Sequence, residues 1–317
     1  MTDRSAPPPA SDDSVIADIA RRYHLHGESK IEIARWSGFS RFKVARLLDE
    51  ARQRGIVTIS VRGADDVDPD LSEELATVLG IERCVVVDSV ANIDDRTTVA
   101  RAAAALVPST LNDDDYLGLT WSRAVDAMVG EMDELPRCTV VQLAGSLHDS
   151  PGIGTVAVAA RAAALAGGEA HPIHAPLVVT DPHAAAALRA QPGIRDALAM
   201  ADRLDVAVVA VGRWRAGSST VFDAVSPELQ AAANDGGAVA EISGRLFTIE
   251  GKPVTSPLDD LVVGVSADQL RAAGTTTALV SGADRAAAVV AACRAGLVDI
   301  LVTTTSVASD ILRERWD

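Results

Sequence analysis

The sequence is poor in aromatic residues, which make up 3% of the chain, and in cysteines, of which there are three. Cys84, Cys138 and Cys293 lie far apart and show no metal-ligand spacing, so we expect buried free thiols. Apolar runs such as residues 206–211 are far shorter than the ~20 residues that span a bilayer. Residues 1–13, MTDRSAPPPASDD, lack the apolar core of a secretory signal and predict a disordered tail. We therefore expect a cytoplasmic protein.

The sequence also lacks the common catalytic and metal-binding patterns. It has six histidines but no zinc-binding helix motif, and His171 and His174 flank a proline in a predicted loop. There is no G-x-S-x-G, no phosphate-binding P-loop, and the acidic run 113–115 is typical of a solvated turn. We accordingly assign no catalytic residue, no metal site and no cofactor, and we do not expect an enzyme.

Charge divides the chain into two parts. The formal net charge is −15, yet residues 14–62 carry ten Lys and Arg against five Asp and Glu. Residues 63–317 carry 18 basic and 36 acidic groups. Because an acidic surface repels nucleic acid, any contact with nucleic acid should be confined to the basic part.

Residues 14–62 have the pattern of a helix-turn-helix domain. Apolar residues in 15–23 follow helical spacing, with Ser14 as a possible N-cap and Gly27 as a stop. A short helix from Lys30 is followed by Gly38, which suits the positive φ of a tight turn. Residues 55–61, GIVTISV, alternate as a strand does, which favours a winged variant of the motif.

The second helix of the motif, residues 40–54, would enter the major groove of double-stranded DNA. Val44, Leu47 and Leu48 are expected to face the core. The predicted DNA-binding residues are Ser40, Arg41, Phe42, Lys43 and Arg46. Two alternatives are an ordinary solvated helix pair and a protein-docking domain.

Residues 63–70, GADDVDPD, predict a linker, and residues 71–317 predict a large α/β domain. Its strands are continuous apolar runs, which indicates a mainly parallel sheet buried on both faces. The strand candidates are residues 84–88, 116–119, 139–143, 206–211, 261–265, 277–280 and 299–303. The helix candidates are residues 96–107, 122–132, 155–167, 184–200, 226–234, 266–273, 284–294 and 305–314.

Ligands of such sheets bind beyond the carboxyl ends of the strands. The segments that follow the strands here are TWSRA, AGSLHDS, GRW and SGADRA, all of them small, polar or glycine-bearing. Helix starts expose N–H groups that bind anions, and Arg123 and Arg285 add cations within a turn of such starts. We therefore expect a small anionic ligand, for instance a phosphorylated sugar.

With these residues in view, the chain resembles a SorC-type (SorC/DeoR) sugar-binding transcriptional regulator over residues 14–314. The family's "SR..V.RLL..A...GIV" is matched from Ser40 to Val57. LGLTWSRAV resembles the family's "iGvsWGrT", with Ser122 in place of its glycine, and VVQLAGS, HAPLVV, LDVAVVAVG, GAVAEISGRLFTIEGKPV and VVGVSADQL follow in the family's order.

The resemblance implies an effector domain related to glucosamine-phosphate deaminase and ribose-phosphate isomerase folds, and homo-oligomers, usually tetramers, whose affinity for operator DNA changes with effector. It implies effector contacts from three loop regions and from Glu241. Together with neighbouring loop residues, the predicted effector site comprises Gly118, Thr120, Trp121, Ser122, Arg123, Gly145, Ser146, Gly212, Glu241, Gly282 and Arg285.

Two departures from the family pattern bear on the effector. Arg285 stands where the family usually has lysine, which preserves phosphate binding but excludes a Schiff base. The family's late "TD" is Thr303-Thr304 here, which removes a carboxylate. A sugar-phosphate isomerase or deaminase with an accessory DNA-binding domain is the alternative function.

Overall fold

The computed structural model describes residues 12–24, 26–57, 67–89, 93–147 and 155–316. The chain divides into two compact units, Met1–Ala64 and Asp65–Asp317. The first helix already begins at Asp12, inside the predicted tail, and another begins at Pro69, inside the predicted linker. Residues 1–11 and 63–66 of those two segments lie outside the described residues.

The first unit contains the helices α1 (Asp12–His24), α2 (Lys30–Ser37) and α3 (Arg41–Gln53). Ser29 and Glu32 form a reciprocal capping box at the start of α2, and Gly38 ends it with φ 70°. The Ser40 hydroxyl then caps α3 by accepting from the Lys43 N–H at 3.2 Å. These local signals fix the turn between the two helices.

The core of the first unit is small and apolar, and its fully buried residues are Ile16, Ile19, Ala20, Ile33, Val44, Leu48 and Ala51. Leu47, expected in the core, is only half-buried. Residues 55–57 form a turn in which the Val57 N–H bonds to the Ala51 carbonyl at 3.1 Å, so the predicted strand does not begin there. The rest of that strand, residues 58–61, lies outside the described part of the chain.

In the second unit, seven strands form one parallel sheet in the order β1-β10-β9-β5-β2-β3-β4, which confirms the predicted α/β class. They are β1 (Arg83–Val87), β2 (Tyr116–Leu119), β3 (Thr139–Gln142), β4 (Ala170–His171), β5 (Val206–Ala210), β9 (Thr275–Leu279) and β10 (Ile300–Thr304). Three short strands, β6 (Gly212–Arg213), β7 (Ala240–Ile242) and β8 (Arg245–Phe247), form a separate antiparallel sheet that the sequence did not predict.

Helices cover both faces of the large sheet. One apolar layer packs α5 (Asp95–Leu106), α6 (Arg123–Glu131) and α7 (Thr155–Ala166) on residues such as Val208 and Val302. The opposite layer packs α4 (Pro69–Leu79), α14 (Ala286–Arg294) and α15 (Thr305–Arg313) on Val209 and Leu301. The remaining helices are α8 (Pro182–Arg189), α9 (Pro192–Met200), α10 (Thr220–Ala224), α11 (Pro227–Asp235), α12 (Leu258–Leu261) and α13 (Ala267–Arg271).

Two predicted elements were wrong. The helix predicted over 184–200 is two helices, because Pro192 lacks an N–H and disfavours helical backbone at Gln191, whose ψ is 135°. The strand predicted over 261–265 is absent from the sheet: Leu261 ends α12, while Val262 and Gly264 form only isolated bridges to Val178 and Ala144.

The cysteine thiols are free. Cys84 and Cys138 are buried and Cys293 is half-buried. Burial raises their pKa values to about 12, 11 and 12 respectively, so the thiols stay protonated and unreactive. Among the described residues, no helix is long and apolar enough to cross a membrane.

Candidate functional site

A cleft of about 180 Å³ opens in the second unit where β2, β5 and β9 end. The fold brings most of the predicted effector residues together there. Those that line the cleft are Thr120, Trp121, Ser122, Arg123, Gly145, Gly212, Glu241 and Arg285.

Three of the predicted residues do not line the cleft. Gly118 lies inside β2, where a Cβ would meet the Leu204 side chain at 2.9 Å, so it serves packing. Ser146 joins a backbone bridge to Pro176 beyond the cleft wall. Gly282 occupies the turn before α14 with φ 91°, a conformation that glycine adopts without strain.

Glu241 is a buried carboxyl group on the cleft wall. The Gly244 N–H donates to its Oε1 at 2.5 Å, and the Ser219 hydroxyl donates to its Oε2 at 3.0 Å. Burial raises the pKa of Glu241, and the two hydrogen bonds and the nearby Arg285 only partly oppose that effect. Gly212 has no room for a side chain, because a Cβ there would meet Glu241 Oε2 at 2.8 Å.

Arg123 and Arg285 bring two cations to the cleft. Burial holds the pKa of Arg285 below its usual value, and the charges of Arg123 and Arg213 lower it further. Arg96 also lines the cleft, at the start of α5. Guanidinium groups held this close repel one another, and an anion between them would relieve the repulsion.

The loop carrying Arg285 is tied to the segment after β6. Arg285 donates to the Ser218 carbonyl, and Arg213 forms an ion pair with Asp284. Arg215 reaches the same carboxylate at 3.0 Å. Asp284 has φ 65°, a left-handed conformation that this set of contacts holds in place.

Helix α6 points its N-terminus at the cleft. Its cap is Ser122, whose hydroxyl accepts from the Val125 N–H at 3.0 Å. The first N–H groups of a helix have no partner within it and favour negative charge, so Arg123 and the backbone beside it are suited to an anion. Behind them, Thr120 is buried and bonds to the β5 backbone at Ala210 N, 3.3 Å away.

Two residues that line the cleft each carry a buried polar atom without a hydrogen-bond partner among the described residues: Trp121 Nε1 and Ser243 Oγ. Ser243 and Gly244 form the two-residue turn between β7 and β8, with φ 53° and 81°. A buried polar atom without a partner is costly, so a ligand that bonds to these two atoms would remove that cost.

Sequence reasoning missed Arg96, Asp223, Ser243 and the segment 217–220, all of which line the cleft. Asp223, Ser243 and the segment 217–220 follow strands of the small sheet, which the sequence did not predict, whereas Arg96 follows β1 of the large sheet only after the intervening residues 88–94. The turn signal SGR at 243–245 was the one available clue to Ser243. Thr303 and Thr304 do not line the cleft, and Thr304 Oγ1 lies 2.9 Å from Ser306 Oγ.

In the first unit, the residues predicted to bind DNA are all exposed: Ser40 caps α3, and the other four lie on that helix. Arg21, Arg22, Arg52 and Arg54 each pair with a carboxylate, at Asp18, Glu28, Asp49 and Glu50 respectively. Within the described residues, no such ion pair involves Arg41, Lys43 or Arg46. The cations at the start of α3 therefore stay available to an external anion.

Comparison with known proteins agrees with this geometry. The family model described as "Putative sugar-binding domain" matches residues 67–313. The transcriptional regulator YjhU of Escherichia coli K12 is 28% identical over 260 residues, covering 78% of this chain and 79% of YjhU. The sorbitol operon regulator of Klebsiella pneumoniae is 24% identical over 323 residues, covering 96% of this chain and 99% of that protein.

Solved structures share the fold. The full-length sorbitol operon regulator SorC from Klebsiella pneumoniae superposes with a TM-score of 0.71 at 23% identity, covering 96% of this chain and all of that one. A sugar-binding transcriptional regulator domain from Arthrobacter aurescens gives a TM-score of 0.71 at 19% identity over 79% of this chain and 100% of that one. The chain therefore belongs to the sugar-binding-domain family of SorC-type transcriptional regulators.

Proposed function

We propose that the cleft binds a phosphorylated sugar and that this effector changes the affinity of the first unit for operator DNA. The observation that carries the proposal is that three arginines, Arg96, Arg123 and Arg285, line the cleft, where the charge of Arg123 also lowers the pKa of Arg285. A phosphate group between these side chains would accept charge-assisted hydrogen bonds, and Arg can bind it with two N–H groups at once.

The rest of the cleft suits sugar hydroxyl groups. Glu241 has a raised pKa, and Trp121 Nε1 and Ser243 Oγ have no hydrogen-bond partner among the described residues, so these three cleft-lining residues offer donors and acceptors. Hydroxyl groups can both donate and accept, so they could pair with all three groups. The effector would thus place its phosphate at the arginines and its hydroxyl groups at the wall formed by Glu241 and Ser243.

DNA binding is proposed for the start of α3. Ser40, Arg41, Phe42, Lys43 and Arg46 are exposed there, and the three cations make no ion pair among the described residues. In helix-turn-helix proteins this end of the second helix contacts base edges and phosphates. Because paired half-sites require two such helices, we propose that the chain acts on DNA as a homodimer or tetramer, in the cytoplasm.

The site is proposed to bind its effector without turnover. Covalent capture of a sugar aldehyde requires a lysine amine, and Arg285 cannot form a Schiff base. The single lysine after residue 62, Lys252, is not among the residues lining the cleft. Conversion of a pentose or hexosamine phosphate by the purified protein, lost in Glu241→Gln, would instead favour the isomerase or deaminase alternative.

A thermal-shift screen of the full-length protein tests the effector. Sugar phosphates should raise the melting temperature, because a ligand of the folded state stabilises it by mass action. The same sugars without phosphate are the matched controls, and they should shift it far less. Arg285→Ala should abolish the shift, whereas Arg195→Ala, which alters an exposed arginine outside the cleft, should keep it. Equal shifts by sugars with and without phosphate would contradict an anion site.

A gel-shift titration tests the DNA surface. Duplexes enriched by the full-length protein from a random-sequence pool would be titrated at several salt concentrations. Reversing the charge at Arg41, Lys43 and Arg46 should weaken binding and reduce the salt slope by about one per lost phosphate contact. Arg195→Glu, in the other unit, is the control for a single charge reversal outside the first unit. Unchanged affinity in the triple variant would support the docking-domain alternative.

A further inference from the structure

Phe42 is the most exposed large hydrophobic side chain among the described residues, at 87% of its full surface. The next such residue, Val78, is 55% exposed. A single exposed apolar residue is ordinary on a protein surface, but this one lies at the second position of α3, between Arg41 and Lys43.

The phase of α3 points Phe42 away from the core. Val44, Leu48 and Ala51 are the buried residues of the helix. Phe42 precedes Val44 by two residues, which places it roughly 160° round the helix from the core-facing side. Arg46 follows Phe42 by four residues, so the two lie about 40° apart and share the outward face.

Neighbouring side chains leave the Phe42 ring uncovered. Lys43 packs on a different ring, with its Nζ 3.8 Å from the centroid of Phe39, and the Ser40 hydroxyl is engaged as the cap of α3. The outward face of the helix start is therefore an apolar ring beside the guanidinium group of Arg46, which forms no ion pair within the described part of the chain. Among the bases, thymine offers an apolar contact in the major groove through its 5-methyl group.

On the basis of the proposed DNA binding, we infer that Phe42 is a specificity-determining residue that contacts the 5-methyl group of a thymine in each operator half-site. Arg46, one turn along the same face, then reaches a neighbouring base or phosphate. The contact is apolar and needs no hydrogen bond, so it distinguishes thymine from uracil, which presents the same polar groups without the methyl.

Replacing single thymines by deoxyuridine in an enriched duplex tests the inference. Replacing the contacted thymine in one half-site should cost the wild-type protein about fourfold in affinity, the factor that corresponds to burying one methyl-sized group. Replacing it in both half-sites of a symmetric duplex should cost about fifteenfold, since two independent contacts multiply. Phe42→Ala should bind the thymine and deoxyuridine duplexes equally, and Phe42→Leu should retain part of the preference.

Lys43→Ala is the matched control at the adjacent position: it should weaken both duplexes by the same factor and leave the preference for the methyl group intact. Unchanged wild-type affinity at every substituted position, or a methyl preference that persists in Phe42→Ala, overturns the inference while the proposed DNA binding stands. Failure of the protein to enrich any duplex overturns the proposed function and this inference with it.

Discussion

The Ser219 hydroxyl, at the start of α10, donates a 3.0 Å hydrogen bond to the buried carboxyl group of Glu241 on β7. The turn after β7 supplies the second bond, from the Gly244 N–H. The cleft wall thus contains a carboxyl group that is oriented on both oxygens and also has a raised pKa. Because this pKa differs from that of an unfolded chain, the protonation of Glu241 makes stability depend on pH.

Glu241→Gln should change the pH dependence of stability. The folded protein keeps this proton at pH values where the unfolded chain has lost it, because the pKa is raised from 4.5 on folding. Wild-type stability is therefore greatest below that value and falls as the pH rises towards the raised pKa, by about 1.4 kcal/mol for each pKa unit. Over that pH range, the stability of the Glu241→Gln variant relative to the wild type should therefore increase.

Melting temperatures measured from pH 4 to pH 8 check this prediction. Glu228→Gln is the opposite control, because hydrogen bonding from Ser226 lowers the pKa of that exposed carboxyl group. The ionised Glu228 carboxylate stabilises the folded protein above pH 4.5, and this stabilisation is lost as the pH falls. Glu228→Gln should therefore be less stable than the wild type at higher pH. A pH-independent difference for Glu241→Gln would show that burial does not govern its charge.

Arg123→Gln should weaken effector binding without destabilising the free protein. The charge of Arg123 lowers the pKa of Arg285, so its removal relieves repulsion in the empty cleft. We expect the melting temperature of the free variant to be unchanged or raised at low salt, and the shift produced by inorganic phosphate to fall. Salt screens the repulsion, so any gain should shrink as salt is added. A lower melting temperature at low salt would contradict the prediction, and Arg195→Gln is the control for charge.

Gly145→Ala should destabilise the cleft wall. A Cβ at this position would lie 2.6 Å from the carbonyl oxygen of Ala175, and backbone there cannot move aside without cost. A loss of roughly 1–3 kcal/mol in the free energy of unfolding is expected, with weaker effector binding. Denaturant titration measures it. Gly130→Ala, in α6 with nothing within 4 Å of the new Cβ, should be neutral or stabilising. Equal effects in the two variants would rule out the close approach at Gly145.

Ser40→Asp should separate helix capping from DNA binding. Aspartate caps a helix about as well as serine, so the stability of the first unit should hold, whereas Ser40→Ala should cost ~1 kcal/mol. The new negative charge next to Arg41 should nevertheless weaken DNA binding at low salt. Thermal melts and gel shifts on the same three proteins check both parts. Undiminished DNA affinity in Ser40→Asp would place the start of α3 away from the DNA backbone.

Much of the fold follows from local patterns. Continuous apolar runs identified strands such as residues 116–119 at their observed bounds, because a strand buried on both faces needs no polar alternation. The run 261–265 had the same composition but lies outside the sheet, and only its tertiary position distinguishes it. Pro192 is a sequence signal for the end of one helix and the start of the next, but the alanine-rich pattern on both sides led to the prediction of one continuous helix.

The residues of the candidate site that follow strands of the large sheet were predictable from the sequence. Those that depend on the small antiparallel sheet were not. Thr120 to Arg123 follow β2 directly, so their place in the cleft follows from topology. Ser243 reaches the cleft through the pairing of β7 and β8, and Ser219 caps α10 after β6; these strands have two or three residues each. Elements this short leave too little periodicity to recognise in a sequence.

The arginines of the cleft come from remote parts of the chain: Arg96 and Arg123 near α5 and α6, and Arg285 before α14. An effector held by all three would act as a reversible cross-link over nearly two hundred residues of sequence. Segments that lie far apart in the sequence would then unfold and refold together. Effector occupancy would set the cooperativity of the whole second unit as well as the shape of one pocket.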